Sequence, residues 1–318
     1  MALVPEDPRL AFLESLDLQA CRIEFSQAPI VLVCGGPVAP LKPFPDAPDP
    51  LVASLRDAIT RQHTNFEVFR PEQIQDWHGD AVFKDLVGFE RALAGICTLI
   101  VIILESPGSM VELGAFSQLP ELAEKCIAIC SSSFDEDISF INLGILRFLS
   151  AQNSSRVKNF PWDIDKPTGI EQVIVDDVVA DISEELAKLP KSASLKFDND
   201  SHCIVMLVEL LRLFTALKEG ELLDYLNICG YAVSSDNIKE KIFLLKSFNI
   251  IKTQKYSDPT FYLIGNEPFH KMRLASLDKT KLADSVRINA MCLEFYAGDA
   301  RHKNRHRAIA KSIVGGVK

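Results

Sequence analysis

Twelve consecutive residues, Glu105-Ser106-Pro107-Gly108-Ser109-Met110-Val111-Glu112-Leu113-Gly114-Ala115-Phe116, hold the densest chemistry in the chain. Pro107 and Gly108 force a tight turn, and Ser109 stands where a helix would be capped. Backbone N–H groups at such a turn can bind a phosphate or a sugar hydroxyl. Glu112 follows Ser109 by three residues, which puts a carboxylate in the first helical turn. Spacing alone favours the bland role, a Ser109-x-x-Glu112 capping box. Two more carboxylates, Glu72 and Glu105, fall at ends of apolar runs, and the nearest histidine is His78. Gly35-Gly36 lacks both a third glycine and a Gly-Lys-Ser/Thr step, so it is neither a dinucleotide fingerprint nor a Walker loop. No Cys-x-x-Cys pair and no His cluster has metal-ligand spacing, and His302 and His306 lie among Arg and Lys.

The elements that must position these residues alternate. Residues 30–34 (Ile-Val-Leu-Val-Cys), 66–69, 97–104, 126–130 and 157–162 read as strands. Helices are expected over 50–63 (capped by Asp49), 81–95, 109–117, 139–149 and 168–189, after an opening helix over 8–24. Continuous apolar strands alternating with helices predict a parallel sheet covered on both faces, a Rossmann-like or flavodoxin-like arrangement. Ligands in such sheets bind beyond the carboxyl ends of the strands. That rule points at Gly35-Gly36, at Glu72 and at residues 105–109.

Residues 190–201 are polar and helix-breaking, so domains are expected over 1–190 and 191–318. Beyond that linker three helices (203–217, 219–228, 236–247) precede two short strands (250–253, 261–264), the order of a winged helix-turn-helix. Further helix over 274–296 leads into a basic tail. Lys and Arg minus Asp and Glu sum to −15 over 1–190 and to +6 over 191–318. The split suggests different partners for the two parts. Lys239, Lys241 and Lys246 on the third helix and Lys252 and Lys255 on the hairpin are candidate phosphate contacts. Arg301, Arg305 and Arg307 join them if the tail is an arm rather than a frayed terminus.

The whole chain has 318 residues, 47% hydrophobic and 24% charged. Those values exclude global disorder, collagen-like repeats and a coiled-coil rod. The longest apolar run, 97–104, is far shorter than a membrane span. The N-terminus lacks a basic n-region and turns acidic, so no secretory signal is expected. Eight scattered cysteines read as buried thiols in a reducing cytoplasm.

Pro107-Gly108-Ser109-x-x-Glu112-Leu113-Gly114 after a central strand resembles the nucleophile segment of the nucleoside 2-deoxyribosyltransferase superfamily. Residues 31–36, 70–72, 101–117 and 139–149 resemble more closely one branch, the deoxyribosyltransferase-like effectors of bacterial retrons. That resemblance implies a winged-helix domain and a toxin-like enzyme that cleaves nicotinamide from NAD. It implies control by a reverse transcriptase and its multicopy single-stranded DNA–RNA within a larger assembly. It makes Glu112 catalytic, as nucleophile or as electrostatic support for a ribosyl cation. Ser109 then bonds a ribose hydroxyl. Cys34, Gly35, Gly36 and Gly108 let the backbone approach the substrate, with Glu72 and Asn142 as weaker contacts. Arg147 takes a phosphate or pairs with Asp135 or Asp137. NAD is substrate, so no cofactor and no metal are expected. Cys34-Gly35-Gly36 and Glu105-Ser106-Pro107 depart from ordinary deoxyribosyltransferases, which carry an aromatic residue and an Asp-rich loop there. The alternatives are a nucleoside deoxyribosyltransferase, a nucleotide N-glycosidase, or a non-enzymatic nucleic-acid-binding regulator.

Overall fold

The computed structural model describes residues 7–40, 42, 48–74, 82–134 and 139–314. His78, Asp135 and Asp137 lie outside them. The chain forms two compact units, one holding residues 28–74 and 85–189, the other 7–27, 82–84 and 190–314. In this division residues 7–27 and 82–84 group with residues 190–314.

The elements in chain order are α1 (Pro8–Glu14), β1 (Arg22–Glu24), β2 (Ile30–Cys34), α2 (Leu55–Thr60), β3 (Glu67–Phe69), α3 (Leu86–Ile96), β4 (Leu99–Ile103), α4 (Pro107–Ser117), α5 (Pro120–Ala123) and β5 (Cys126–Ser131). After a π-turn (Ile141–Leu146) come α6 (Arg147–Gln152), β6 (Val157–Phe160), α7 (Gln172–Lys188), β7 (Ser192–Ser194), α8 (Asp200–Phe214), α9 (Glu219–Ile228) and α10 (Ser235–Ser247). The last are β8 (Ile251–Lys255), β9 (Thr260–Ile264), β10 (Lys271–Arg273), α11 (Ser285–Gly298) and α12 (Lys303–Val314).

The first unit is built on a five-stranded parallel sheet ordered β3-β2-β4-β5-β6. Every residue of β2, β4 and β5 is buried, as their unbroken apolar runs require. Val31, Val33, Val101, Ile103, Ile127 and Ile129 pack on one side against α2 and α7. In α7, Ile174, Val178 and Ile182 repeat every four residues and form the buried stripe. α4 packs on β4 and β5. The strand order reverses direction between β2 and β4, and a crevice beyond the carboxyl ends of the strands is where such sheets take ligands.

In the second unit, β10-β1-β7 form a small antiparallel sheet, and α8, α9 and α10 lead into the β8-β9 hairpin. Gly230, at φ +92°, ends α9 in a conformation that side chains rarely adopt.

Several expected boundaries shift. The opening helix stops at Glu14, because Cys21 and Ile23 are buried in and beside a strand whose Ile23 faces Met272 and Ala193. α2 starts at Leu55, capped by the Ser54 hydroxyl, which accepts from the Asp57 N–H at 2.9 Å, so Pro50 precedes the helix. α3 starts at Leu86, capped by Asp85. The helix expected over 274–296 is confined to α11, and the basic tail is the helix α12. Among the described residues, no helix is long and apolar enough to cross a membrane.

Candidate functional site

The ends of β2 and β4 and the start of α2 are tied together by Glu105. Its carboxylate accepts from the backbone N–H of Gly36 (3.0 Å), Leu55 (2.8 Å) and Arg56 (2.9 Å). It thereby satisfies two of the first-turn donors that the short helix α2 leaves open. Glu105 is thus committed to scaffolding. The glycines answer to the same packing: a Cβ on Gly36 would stand 2.7 Å from Ser54 Cβ and 3.0 Å from Glu105, and one on Gly35 3.0 Å from Glu105 Oε1.

The cap of α4 is Ser106, not Ser109. The Ser106 hydroxyl accepts from the Ser109 N–H (3.2 Å) and donates to the Gly35 carbonyl (3.0 Å), which links the β4 loop to the β2 loop. Ser109 is 1% exposed, and its hydroxyl donates to the Ser106 carbonyl (2.8 Å) and accepts from the Ser106 N–H (3.3 Å). Both hydrogen bonds of the Ser109 hydroxyl lie within the turn. The Ser109-x-x-Glu112 capping box is absent, since the box is Ser106 with Ser109. Gly108 is exposed, and a Cβ there would meet no protein atom nearer than Ser106 Oγ at 3.8 Å, so no contact within the protein calls for a glycine at this turn.

Glu112, released from capping, stands on the second turn of α4. Its Oε2 atom is buried and makes no hydrogen bond. Burial raises its carboxyl above the ordinary carboxylate range; the Arg56 charge and the Cys34 thiol oppose that rise, and Glu72 adds to it. Cys34 is 1% exposed, and burial followed by the Glu112 charge keeps its thiol protonated. Arg56 is buried, donates from Nε to the Val33 carbonyl (2.9 Å), and grips Glu72 through two hydrogen bonds of 2.8 and 2.6 Å. Burial works against the Glu72 carboxylate, but hydrogen bonds and charge from Arg56 hold it below its ordinary range.

A fourth carboxylate joins the group. Glu90, on α3, is pushed up to about 7, first by burial and then by the charges of Glu112 and Glu72. Sequence reading missed Glu90 and Arg56, because a lone Glu and a lone Arg within helical segments carry no motif. Glu112, Glu90 and Glu72 thus all feel the charge of one guanidinium, which contacts Glu72 directly, and Glu112 also acts on a thiol that burial keeps neutral. Two carboxyls that share a field separate into an ionised and a protonated member, the division of labour of acid–base sites.

Asn142 lies on the π-turn, with its backbone N–H donating to Ser139 Oγ at 3.2 Å. It lines a cavity of about 290 Å³ against β5 and β6 and is not among the groups acting on Glu112. A larger cavity, about 350 Å³, opens beside α2 and is lined by Pro40, Asp57, Arg61 and Arg70. Arg61 there is spent on Asp57 at 2.6 Å, and none of the groups acting on Glu112 lines this cavity. Among the described residues, no cluster of three His, Cys, Asp or Glu side chains could hold a metal ion.

The candidate nucleic-acid contacts of the second unit divide. Lys239 is exposed on α10, and Lys252 is half-buried on β8. Lys241 is 3% exposed and pairs with Asp200 at 2.7 Å, so it is withdrawn from any phosphate role. Arg305 is corrected most strongly. It is 2% exposed, pairs with Glu221, which also takes Arg9 at 2.8 Å, and lies 4.8 Å from the Tyr296 ring centroid. Arg301 is exposed but paired with Asp299 at 2.7 Å. Arg307 donates to Tyr256 Oη on the hairpin turn at 3.1 Å.

Comparison with known proteins bears on this arrangement. The family described as STM3845 retron effector protein matches residues 52–253. Over 128 residues, 40% of the chain, it is 33% identical to an Escherichia coli protein named "Retron Ec86 putative ribosyltransferase/DNA-binding protein". Over 107 residues, 34% of the chain, it is 28% identical to the Escherichia coli protein of the same description from retron Ec73. The chain spans 39% and 33% of the lengths of these two curated relatives.

Proposed function

The chain belongs to the retron effector family, and on that premise we propose that it is the toxin-like effector of a retron anti-phage defence system, cleaving the N-glycosidic bond of NAD. The observation that carries the reading is Glu112: a carboxylate at the mouth of a parallel sheet, with a buried oxygen that no protein donor satisfies. Buried polar atoms without partners call for an explanation, and a ligand is one. The strand order, 2-1-3-4-5 within the sheet, supports the flavodoxin-like reading and places the switch point beside Cys34.

Nicotinamide in NAD is cationic and leaves neutral, so its departure needs no general acid. As the bond from C1′ to the ring nitrogen breaks, its electron pair passes to nicotinamide and positive charge develops on the ribosyl carbon. Glu112 faces that charge, either stabilising it or bonding to C1′ before water replaces the carboxylate. Burial raises the Glu112 carboxyl, and the Arg56 charge opposes that rise, so Arg56 is the group that supports the ionised form this step uses.

The printed names of the two relatives pair ribosyltransferase with DNA-binding. Three helices followed by a hairpin support a winged-helix reading of the second unit, docking on the multicopy single-stranded DNA–RNA and reverse transcriptase of the retron in the cytoplasm. Exposed Lys239, half-buried Lys252, Arg301 and Arg307 are the phosphate contacts in this reading.

A second reading, nucleoside deoxyribosyl transfer or nucleotide N-glycosidase activity, is favoured by Glu90. A carboxyl pushed up to about 7 can donate the proton that a departing purine or pyrimidine needs. Incubation of the purified chain with NAD and, separately, with deoxynucleosides decides the matter. Nicotinamide release without base exchange supports the first reading, and base exchange alone supports the second.

A further inference from the structure

The basic segment that follows α11 turns one charged face to solvent. Residues 300–318 hold six Lys and Arg and no Asp or Glu. On α12, Arg305, Ala308 and Ile309 form the buried side. Lys303, Arg307 and Lys311 are exposed and recur every four residues. At 3.6 residues per turn they fall within about 80° of one another, and each stands about 6 Å further along the axis. Among the described residues the ion pairs of this segment are Arg301 with Asp299 and Arg305 with Glu221, and neither involves the stripe.

The stripe adjoins an aromatic ring. Arg307 donates to Tyr256 Oη (3.1 Å), and its guanidinium lies 5.6 Å from the centre of that ring. Tyr256 opens the turn between β8 and β9, and its N–H donates to the Pro259 carbonyl (3.3 Å), which fixes the turn. A row of cations tracks a phosphate backbone, and an aromatic ring backed by a guanidinium is a platform on which a base stacks. Bases inside a duplex are not free to stack on protein rings, so the combination selects a single strand. α10, the helix that a winged helix would lay in a duplex groove, offers little for that purpose. Six of its thirteen residues are buried, Lys241 is spent on Asp200, and the Phe243 ring meets Phe83 at 5.9 Å.

We propose that the face of α12 carrying Lys303, Arg307 and Lys311, together with Tyr256, docks single-stranded nucleic acid, phosphates on the stripe and a base on the ring. The inference rests on the reading of the second unit as a nucleic-acid-docking domain and deepens it, by naming the surface and the strand form. The full chain is titrated with a labelled oligothymidylate single strand and with a duplex of equal length, over a series of salt concentrations. The variants are Lys303→Ala with Arg307→Ala and Lys311→Ala, and separately Tyr256→Ala and Tyr256→Phe, each with its unfolding midpoint matched to wild type. Wild type should bind the single strand more tightly than the duplex. The triple variant should flatten the slope of log affinity against log salt by about 2, at about 0.7 per phosphate contact. Tyr256→Ala should weaken single-strand binding about tenfold with the slope unchanged, and Tyr256→Phe should retain the affinity. Preference for the duplex, an unchanged slope in the triple variant, or wild-type affinity in Tyr256→Ala overturns the proposal. Binding that Lys239→Ala with Lys252→Ala abolishes and the triple variant keeps overturns this surface alone and leaves the nucleic-acid reading of the second unit standing. Binding of neither oligonucleotide by wild type overturns both.

Discussion

Arg56 and Glu72 are joined by two parallel hydrogen bonds, of 2.8 and 2.6 Å, and the same guanidinium opposes the burial of Glu112. One buried cation thus serves two carboxylates of different exposure. The Glu72 side chain is 67% exposed, and hydrogen bonds and charge from Arg56 outweigh the partial burial of its carboxylate. Glu112, with a buried oxygen lacking a hydrogen bond, depends on the field of Arg56. Glu90 receives the least compensation, and its carboxyl rises to about 7.

Glu90 makes stability depend on pH. Its folded value of about 7 lies above the ordinary 4.5, so the folded state holds a proton there that the unfolded chain has released. Below pH 4.5 the group contributes no penalty. Between 4.5 and 7 stability falls as pH rises, and above 7 the cost is complete. Glu90→Gln removes this dependence. Denaturant unfolding should show the variant more stable than wild type at pH 8 by about 1–2 kcal/mol, after allowance for solvent screening. The gap should close toward pH 5, and an equal gap at both pH values would refute the assignment.

The two turn glycines should respond in opposite ways. Gly36→Ala places a Cβ 2.7 Å from Ser54 Cβ, which sits on rigid backbone, and should cost about 1–3 kcal/mol. Gly108→Ala adds a methyl to an exposed first-turn position of α4 with no close neighbour. It should be neutral or stabilise by up to about 1 kcal/mol. Thermal unfolding of the two variants side by side checks the contrast, and loss of stability in Gly108→Ala contradicts it.

The basic C-terminal segment divides by burial. Arg305→Ala leaves Glu221 with Arg9 alone and empties a position against Tyr296, so it should destabilise by about 2–4 kcal/mol. Arg301→Ala and Arg307→Ala should each cost less than about 1 kcal/mol. A nucleic-acid role is therefore tested with Arg301, Arg307, Lys239 and Lys252, leaving Arg305 intact. Their joint replacement by Ala should flatten the salt dependence of binding to cognate single-stranded DNA. An unchanged slope assigns this surface to something other than phosphate.

The apolar run 30–34 and the four-residue repeat of Ile174, Val178 and Ile182 made the parallel sheet and its covering helix readable, because burial on both faces and on one helical stripe leaves a period in the sequence. Glu112 was readable as a candidate and its neighbours were not. Glu90 and Arg56 reach the site through tertiary packing, which leaves no spacing rule. Glu105 read only as one more carboxylate at the end of an apolar run, since nothing local reveals that its oxygens are taken by the amides of Gly36, Leu55 and Arg56. β1 was hidden because Leu10, Leu13, Leu16 and Cys21 mimic a helical period. In the C-terminal stretch, the buried set Arg305, Ala308 and Ile309 repeats at helical spacing. That signal was present, and the surrounding charges masked it.

The central claim is that the charge of Glu112 drives glycosidic cleavage. Glu112→Gln preserves size and removes the negative charge. Nicotinamide release from NAD, measured for the purified wild type and the variant at equal folded concentration, tests it most directly. The account predicts a loss of at least about 10²-fold, with the unfolding midpoint not lowered, since Glu112 Oε2 makes no hydrogen bond within the protein. A Gln variant that releases nicotinamide at the wild-type rate contradicts it.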